Sequence, residues 1–331
     1  MAGYKLKGRI PLRWLLFSLM VVWGTIWALQ LLDIWRPQTR QIQSPRQKQL
    51  AMQMLQGMKL LSTELERSGV VISPYSDPNH TGFIGDELTP LTTTLGSIVS
   101  KRTSTHPGFA PLIFDMVREA GVKKGDVVAI SASGSFPALI FATILAVEAI
   151  GAEPYLISSV GSSTWGANRP GWAWPDMESL FYRQGLIQSR SRYISPGGPD
   201  DKGPNLFESG MDLVKQIATR NGIELLESSS LTEAIERRLQ LYLVENPSLY
   251  INIGGSHPAM GGCSHGHQFP PGLINQSITC QHQDRGLIIR FLEADIQVIN
   301  LLDIPAIAIK NGLSIDPVPL PEFVDVISRT P

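Results

Sequence analysis

The residues from Asp126 to Ser159, DVVAISASGSFPALIFATILAVEAIGAEPYLISS, admit very few folds. Val127 to Ser131 is a short apolar run with two adjacent valines, Phe136 to Ile150 is apolar nearly all round, and Tyr155 to Ser159 returns to strand character. This succession is a βαβ unit. Its connection is long enough for a crossover helix, so the two strands run parallel with right-handed chirality and helices cover the sheet. The expected architecture is therefore α/β and Rossmann-like, a mostly parallel sheet with helices on both faces. At the turn, Ser135 is placed to act as N-cap, and Pro137 sits in the first helical turn, where a missing N–H is tolerated. Ser133, Gly134 and Ser135 thus lie at a helix N-terminus, whose free donors and dipole favour a carboxylate or phosphate, and Ser131 adds another hydroxyl. Serines at such a turn also serve simply as helix caps, and both uses stay open.

Ahead of this unit the chain carries an attachment. From Trp14 to Leu32 no residue is charged over 19 positions, which at the helical rise is about 28 Å, close to the hydrocarbon thickness of a bilayer. Residues 1–35 are expected to form an N-terminal transmembrane anchor. Lys5, Lys7, Arg9 and Arg13 precede the apolar run, while Asp33, Arg36, Arg40, Arg46 and Lys48 follow it, so the positive-inside comparison is nearly balanced. A short basic N-terminus before a first apolar segment fits an uncleaved signal anchor with the body outside the cytoplasm, and no small-x-small pattern marks a cleavage site. A stalk helix is expected over 36–69: Ser44 and Pro45 start it, Leu50, Met54, Met58, Leu61 and Leu65 form one apolar stripe, and Gly69 stops it. The remainder, 70–331, is expected to be the α/β globular domain. With 331 residues, 43% of them hydrophobic, there is ample material for a core. Formal net charge is only −1, which excludes a bulk electrostatic footprint for nucleic acid and makes any anion site local.

Two stretches offer partners for the serine turn. Lys101 and Arg102, ahead of the helix that begins near Phe109, could direct cationic heads toward an anion held there, or face water as charge pairs in loops usually do. The loop from Gly161 to Asp176 holds Trp165, Trp172 and Trp174 and leaves the carboxyl edge of the sheet, where open α/β proteins place ligands. Trp165, Asn168, Arg169 and Trp172 would then line a pocket, although the tryptophans would equally seal the loop onto the core. Farther on the α/β alternation continues. Leu206 to Arg220 is helical, Ser230 to Glu233 is a capping box, Leu249 to Ile253 is a strand, Ile296 to Leu301 another, and Ile304 to Asn311 closes the fold as a helix. Gly254 and Gly255, which follow the strand at Ile253, let the backbone approach closely and are expected to form the far wall of the same site.

Four of the six histidines, His257, His265, His267 and His282, share a 26-residue window with Cys263 and Cys280. These residues include donors suited to zinc or copper, but their spacing matches no recurrent metal motif, so no metal or cofactor is assigned. The two cysteines form either one bridge or two free thiols. A serine hydrolase reading would use Ser133 or Ser135 as nucleophile with His106 or His257 as base; the G-x-S-x-G elbow is absent.

The turn Ser131-Ala132-Ser133-Gly134-Ser135 resembles the phosphosugar-binding turn of sugar isomerase domains over about thirty residues. A broader resemblance rests on motifs in a common order. These are Gly85 with Glu87, Thr92-Thr93-Thr94, Lys101-Arg102-Thr103-Ser104, Ser133 to Leu139, Trp165-Gly166-Ala167-Asn168, Asp176-Met177-Glu178, Asn252-Ile253-Gly254-Gly255, Pro271-Gly272-Leu273 and Asn300-Leu301-Leu302. Together they resemble the bacterial poly-γ-glutamate system protein family from about Thr81 to Pro321, plus the anchor. The resemblance implies an accessory component of a membrane machinery in the bacterial cell envelope that makes or exports an anionic γ-linked glutamate capsule polymer. Its implied partners are the membrane, the other subunits of that system and the γ-glutamyl polymer. It carries no catalytic role, and Cys263, His265 and His267 fall outside its motifs. The expected ligand site comprises Lys101, Arg102, Ser133, Gly134, Ser135, Trp165, Asn168, Gly254 and Gly255. The alternatives are a serine-type hydrolase or amidase acting on the same polymer through Ser133 or Ser135, and a non-catalytic scaffold for membrane partners.

Overall fold

The computed structural model describes residues 11–31, 42, 44–205, 207–263, 269–276 and 278–321. The chain divides into two compact units, Met1–Thr39 and Arg40–Pro331. The first contributes a single described helix, α1 (Leu12–Leu31), whose described side chains are all exposed, among them Trp14, Phe17, Met20 and Trp23. Among the described residues no helix is long and apolar enough to cross a membrane. The expected span is therefore not established by the fold.

The second unit begins its described structure with α2 (Pro45–Arg67), opened by a capping box in which Ser44 and Gln47 satisfy one another's backbone donors. Its residues belong to the stretch expected to be a stalk, and the structure packs them into the body. Leu50, Met54, Met58, Leu61 and Leu65 are buried in the main core against α4 and α5. The elements that follow are β1 (Thr92–Thr94), α3 (Ile98–Ser104), α4 (Phe109–Glu119), β2 (Val127–Ala132), α5 (Pro137–Ile150) and β3 (Glu153–Ser159). Three two-residue strands, β4 (Ser162–Ser163), β5 (Asn168–Arg169) and β6 (Trp172–Ala173), lie within the tryptophan loop. The chain continues through α6 (Trp174–Arg183), β7 (Tyr193–Ser195), α7 (Gly210–Asn221), β8 (Glu224–Leu225), α8 (Leu231–Val244) and β9 (Leu249–Ile253). It closes with α9 (His257–Met260), β10 (Gly272–Ile274), α10 (Leu287–Glu293), β11 (Gln297–Leu301) and α11 (Ile304–Lys310).

Seven strands form the central sheet in the order β10-β11-β9-β2-β3-β7-β8, and every neighbouring pair is parallel except β10 with β11. The βαβ unit is the centre of this sheet. From β2 the chain runs outward through β3, β7 and β8, then returns to β9 on the other side of β2 and moves on to β11. The direction of winding therefore reverses between β2 and β9, the place where open α/β sheets bind ligands beyond their strand carboxyl ends. Strand alternation divides the core. Val128, Ile130, Leu156, Ile251 and Ile299 face the cluster that includes α2, α4 and α5, while Ala129, Tyr155, Ile157, Tyr250 and Val298 face α8 and α10. On the first side, Gly57 lies against the Phe141 ring, which leaves no room for a side chain there and brings α2 close to α5. Phe141 in turn packs on Phe83 and Phe181, with ring centroids 6.0 and 4.3 Å away.

Because α2 belongs to this core, Leu61→Ala is expected to cost about 2–5 kcal/mol in chemical denaturation. Met52→Ala, on the exposed face of the same helix, is expected to cost less than about 0.5 kcal/mol. Equal, small effects at both positions would contradict the packed position of α2.

Candidate functional site

Three loops meet beyond the carboxyl ends of the central strands. The turn after β2, Ser133-Gly134-Ser135, is tied to the loop after β9 because Ser133 N–H donates to the Ile253 carbonyl at 3.0 Å. Gly254, at φ 83°, lies so close to this turn that a β-carbon there would sit 3.0 Å from the Ser133 β-carbon. Gly255 is exposed beside it. The loop after β3 completes the group: Gly134 N–H donates to Ser159 Oγ at 3.2 Å, and Ala167 N–H donates to the Gly134 carbonyl at 2.8 Å. Gly134 has no space for a β-carbon, which would meet the Ser159 carbonyl at 2.8 Å. The switch point is thus built by backbone packed directly on backbone.

Within it the hydroxyls bond to one another. Ser133 Oγ donates to Ser135 Oγ at 3.0 Å and accepts Ser135 N–H at 3.3 Å, while Ser135 Oγ also accepts the Ser163 N–H at 3.0 Å. Ser135 therefore does not cap α5. The capping position is Phe136, which gives the helix no side-chain bond, and the Ser135 hydroxyl instead joins the turn to β4. All three serines are buried.

Lys101 enters this cluster from α3 and is only 2% exposed. Its Nζ donates to the Ser135 carbonyl, lies 2.7 Å from Ser163 Oγ, and stands 4.0 Å from the centre of the Phe136 ring. Among the described residues no carboxylate is bonded to it. Burial, which removes the ammonium from water, pushes Lys101 down to about 7. The amine is therefore divided between charged and neutral forms near neutral pH.

Arg102 does not join it. Neighbouring residues on a helix project about 100° apart, and Arg102 pairs instead with Asp316, at 2.7 Å through Nε, with a further bond to the Tyr75 carbonyl. Asn168 is fully buried and structural: its amide donates to the Asp86 carbonyl and to Thr92 Oγ1, and its Oδ1 accepts the Asp86 N–H. Arg169 pairs with Asp86 at 2.8 Å. Trp165 is half-buried and holds φ at 66°, a conformation bulky residues rarely adopt. Its backbone makes both of its bonds to the Gly85–Asp86 segment. Trp174 is fully buried, and Trp172 packs at the edge of the main core. The site's expected members thus separate into Lys101, Ser133, Gly134, Ser135, Gly254 and Gly255, which the structure brings together, Trp165, whose backbone joins its loop to Gly85 and Asp86, and Arg102 and Asn168, which serve the scaffold.

Neither candidate base reaches a serine. His106 Nδ1 accepts the Gly108 N–H at 2.9 Å, and burial pushes its imidazole down to about 4, while His257 Nδ1 accepts the Asp200 N–H at 3.0 Å. Cys263 and Cys280 are joined as a disulfide, with Cα atoms 5.7 Å apart, so neither offers a thiolate to a metal. His265 and His267 lie outside the described residues. The residue that the sequence pattern did not single out is Ser163. Its signal was present in Ser162-Ser163-Thr164, the first residues after β3 that carry hydroxyls beyond the sheet edge. Comparisons with protein-family models, with curated proteins and with solved structures returned no match.

The lysine sets the sign of a stability effect. Its folded value lies below the unfolded one, so the unfolded chain binds more protons between pH 7 and the ordinary lysine range. The cost of burying Lys101 is full below about pH 7 and is relieved as pH rises. Wild-type stability is expected to climb between pH 7 and pH 9 with a slope approaching about 1.4 kcal/mol per pH unit, and this slope should be missing in Lys101→Met. Denaturant titrations at a series of pH values check it. Parallel pH profiles for the two proteins would show that Lys101 stays charged in the fold.

Proposed function

We propose that this chain is a membrane-anchored accessory component of a bacterial poly-γ-glutamate synthesis or export system, and that its switch-point turn receives glutamyl carboxylates. The observation that carries this reading is Lys101, a buried amine set among serine hydroxyls beyond the carboxyl edge of the sheet, with no carboxylate bonded to it among the described residues. An ammonium without a counter-charge in a site of low polarity is stabilised by an anion that brings one, and bidentate carboxylates also find donors in serine hydroxyls and the first turn of α5. A chain of formal net charge −1 has no general attraction for polyanions, so recognition must come from such a local arrangement.

Two further features support the envelope setting. From Leu12 to Trp23, helix α1 exposes Leu, Trp, Phe, Met and Val side chains, a surface suited to lipid and unsuited to water. The Cys263–Cys280 disulfide is the kind of bond that persists in oxidising compartments outside the cytosol. Both agree with an N-terminal signal anchor and an extracytoplasmic body.

The full chain in detergent micelles is expected to bind γ-linked glutamate oligomers in a salt-sensitive manner, measured by calorimetry. Lys101→Met should weaken binding at least about tenfold, equivalent to about 1.4 kcal/mol. Arg102→Ala should have little effect, because that guanidinium is already paired with Asp316. Absence of binding, or binding indifferent to Lys101, removes this reading.

A further inference from the structure

Lys101 and Ser163 are placed as more than a charge and its neighbour. A neutral lysine amine has two N–H donors and one lone pair, and three groups surround Nζ: the Ser135 carbonyl, the Phe136 ring face and Ser163 Oγ. The carbonyl and the ring face can only receive hydrogen, so they suit the two N–H groups. Ser163 Oγ, which at 2.7 Å accepts from the charged ammonium, is then left facing the lone pair, and for the neutral amine its own O–H becomes the donor. Among the described residues no other acceptor is bonded to that hydroxyl. With Nζ charged, by contrast, the Ser163 proton is left without a partner.

We infer that Ser163 and Lys101 form a nucleophile and general-base pair for acyl transfer from amides or activated esters of carboxylic acids. This inference goes beyond the proposed function and does not depend on γ-linked glutamate being the ligand. In the first step the Ser163 proton passes to the Lys101 lone pair while Oγ bonds to the acyl carbon. Collapse of the tetrahedral species breaks the bond from carbon to the leaving nitrogen or oxygen, which takes the proton from Lys101 and restores the neutral amine. Water, or the amine of a second chain, then attacks the ester on Ser163 by the same proton route and releases the acyl group. No oxidant or metal enters this balance. Burial lowers the lysine enough for the neutral form to be present at neutral pH, which the mechanism requires.

The pair has a thin cover. Gly96 lies over it so closely that a β-carbon there would stand 2.8 Å from Ser163 Oγ and 3.2 Å from Lys101 Cε. The Gly96 backbone is held by a single hydroxyl, Thr164 Oγ1, which accepts the Gly96 N–H at 2.7 Å and donates to the Gly96 carbonyl at 3.2 Å. Beside it Leu95 is largely exposed. The preceding residues are also joined to β4 through β1, with Thr164 N–H donating to the Thr94 carbonyl at 2.9 Å, so loss of the Thr164 hydroxyl loosens the cover at Gly96 without freeing the strand beside it.

A fluorophosphonate tests the pair directly, because serine oxygen displaces fluoride from phosphorus by the same proton transfer. The full chain in micelles is expected to form one covalent adduct, located on Ser163 by peptide mass mapping. Adduct formation should disappear in Ser163→Ala, fall at least a hundredfold in Lys101→Met and in Lys101→Arg, which keeps a charge but offers no base, and accelerate severalfold in Thr164→Val. Circular dichroism of each variant checks its fold. No adduct in either wild type or Thr164→Val, an adduct on a different serine, or labelling undiminished in folded Lys101 variants would overturn the assignment. Binding of glutamate oligomers without any adduct counts against the pair and leaves the proposed function intact. An adduct on Ser163 without oligomer binding does the reverse.

Discussion

Removing an ammonium group from water costs several kcal/mol even after its surroundings relax, and among the described residues no carboxylate is bonded to Lys101 to offset that cost. The structure meets it with a carbonyl, a hydroxyl and an aromatic face. Those three groups come from α5's entry turn and from β4, so the geometry around one nitrogen depends on two loops being held in register. The backbone contacts of Gly134 with Ser159 and Ala167 supply that register, as does the Ser135 hydroxyl bridging to Ser163. A polar centre of this kind contributes little to stability and much to specificity of arrangement. Such centres concentrate where a protein binds or transforms something.

Much of the fold was legible before any coordinates. The short apolar run from Val127 to Ser131 and the strand character from Tyr155 to Ser159, with the apolar helix between them, required parallel strands, and these became the middle of the sheet. Ser230 caps α8, its hydroxyl accepting the Glu233 N–H at 3.1 Å, but the expected capping box is only half formed, because the Glu233 carboxylate accepts the Ser229 N–H at 2.7 Å. Tyr193–Ser195 was harder, since a strand of three residues has too few positions for periodicity to register. The same limit hid the three short strands between Ser162 and Ala173, where pairing is set by distant backbone rather than by side-chain pattern.

The site was legible in part, and the division has a physical cause. Ser133, Ser135 and Gly254 could be placed because each directly follows a strand of the sheet and topology carries such residues to one edge. Lys101 and Arg102 are adjacent in sequence and were indistinguishable there, yet the turn of α3 sends one into the core and the other to Asp316. Asn168, Trp172 and Trp174 carried the chemistry of a ligand pocket but meet backbone and core instead. Ser163 went unmarked because its importance comes from a lysine more than sixty residues earlier, and no local motif records that approach.

Helix α3 is short, and its hold on the body includes a strap from the far end of the chain. Asp316 donates its backbone N–H to Thr103 Oγ1 at 3.0 Å and takes the Arg102 guanidinium, 214 residues away in sequence. Those two residues immediately follow Lys101. The helical turn that carries the buried amine is consequently clasped by a segment more than two hundred residues away in sequence, so its final placement has to wait for that segment to dock.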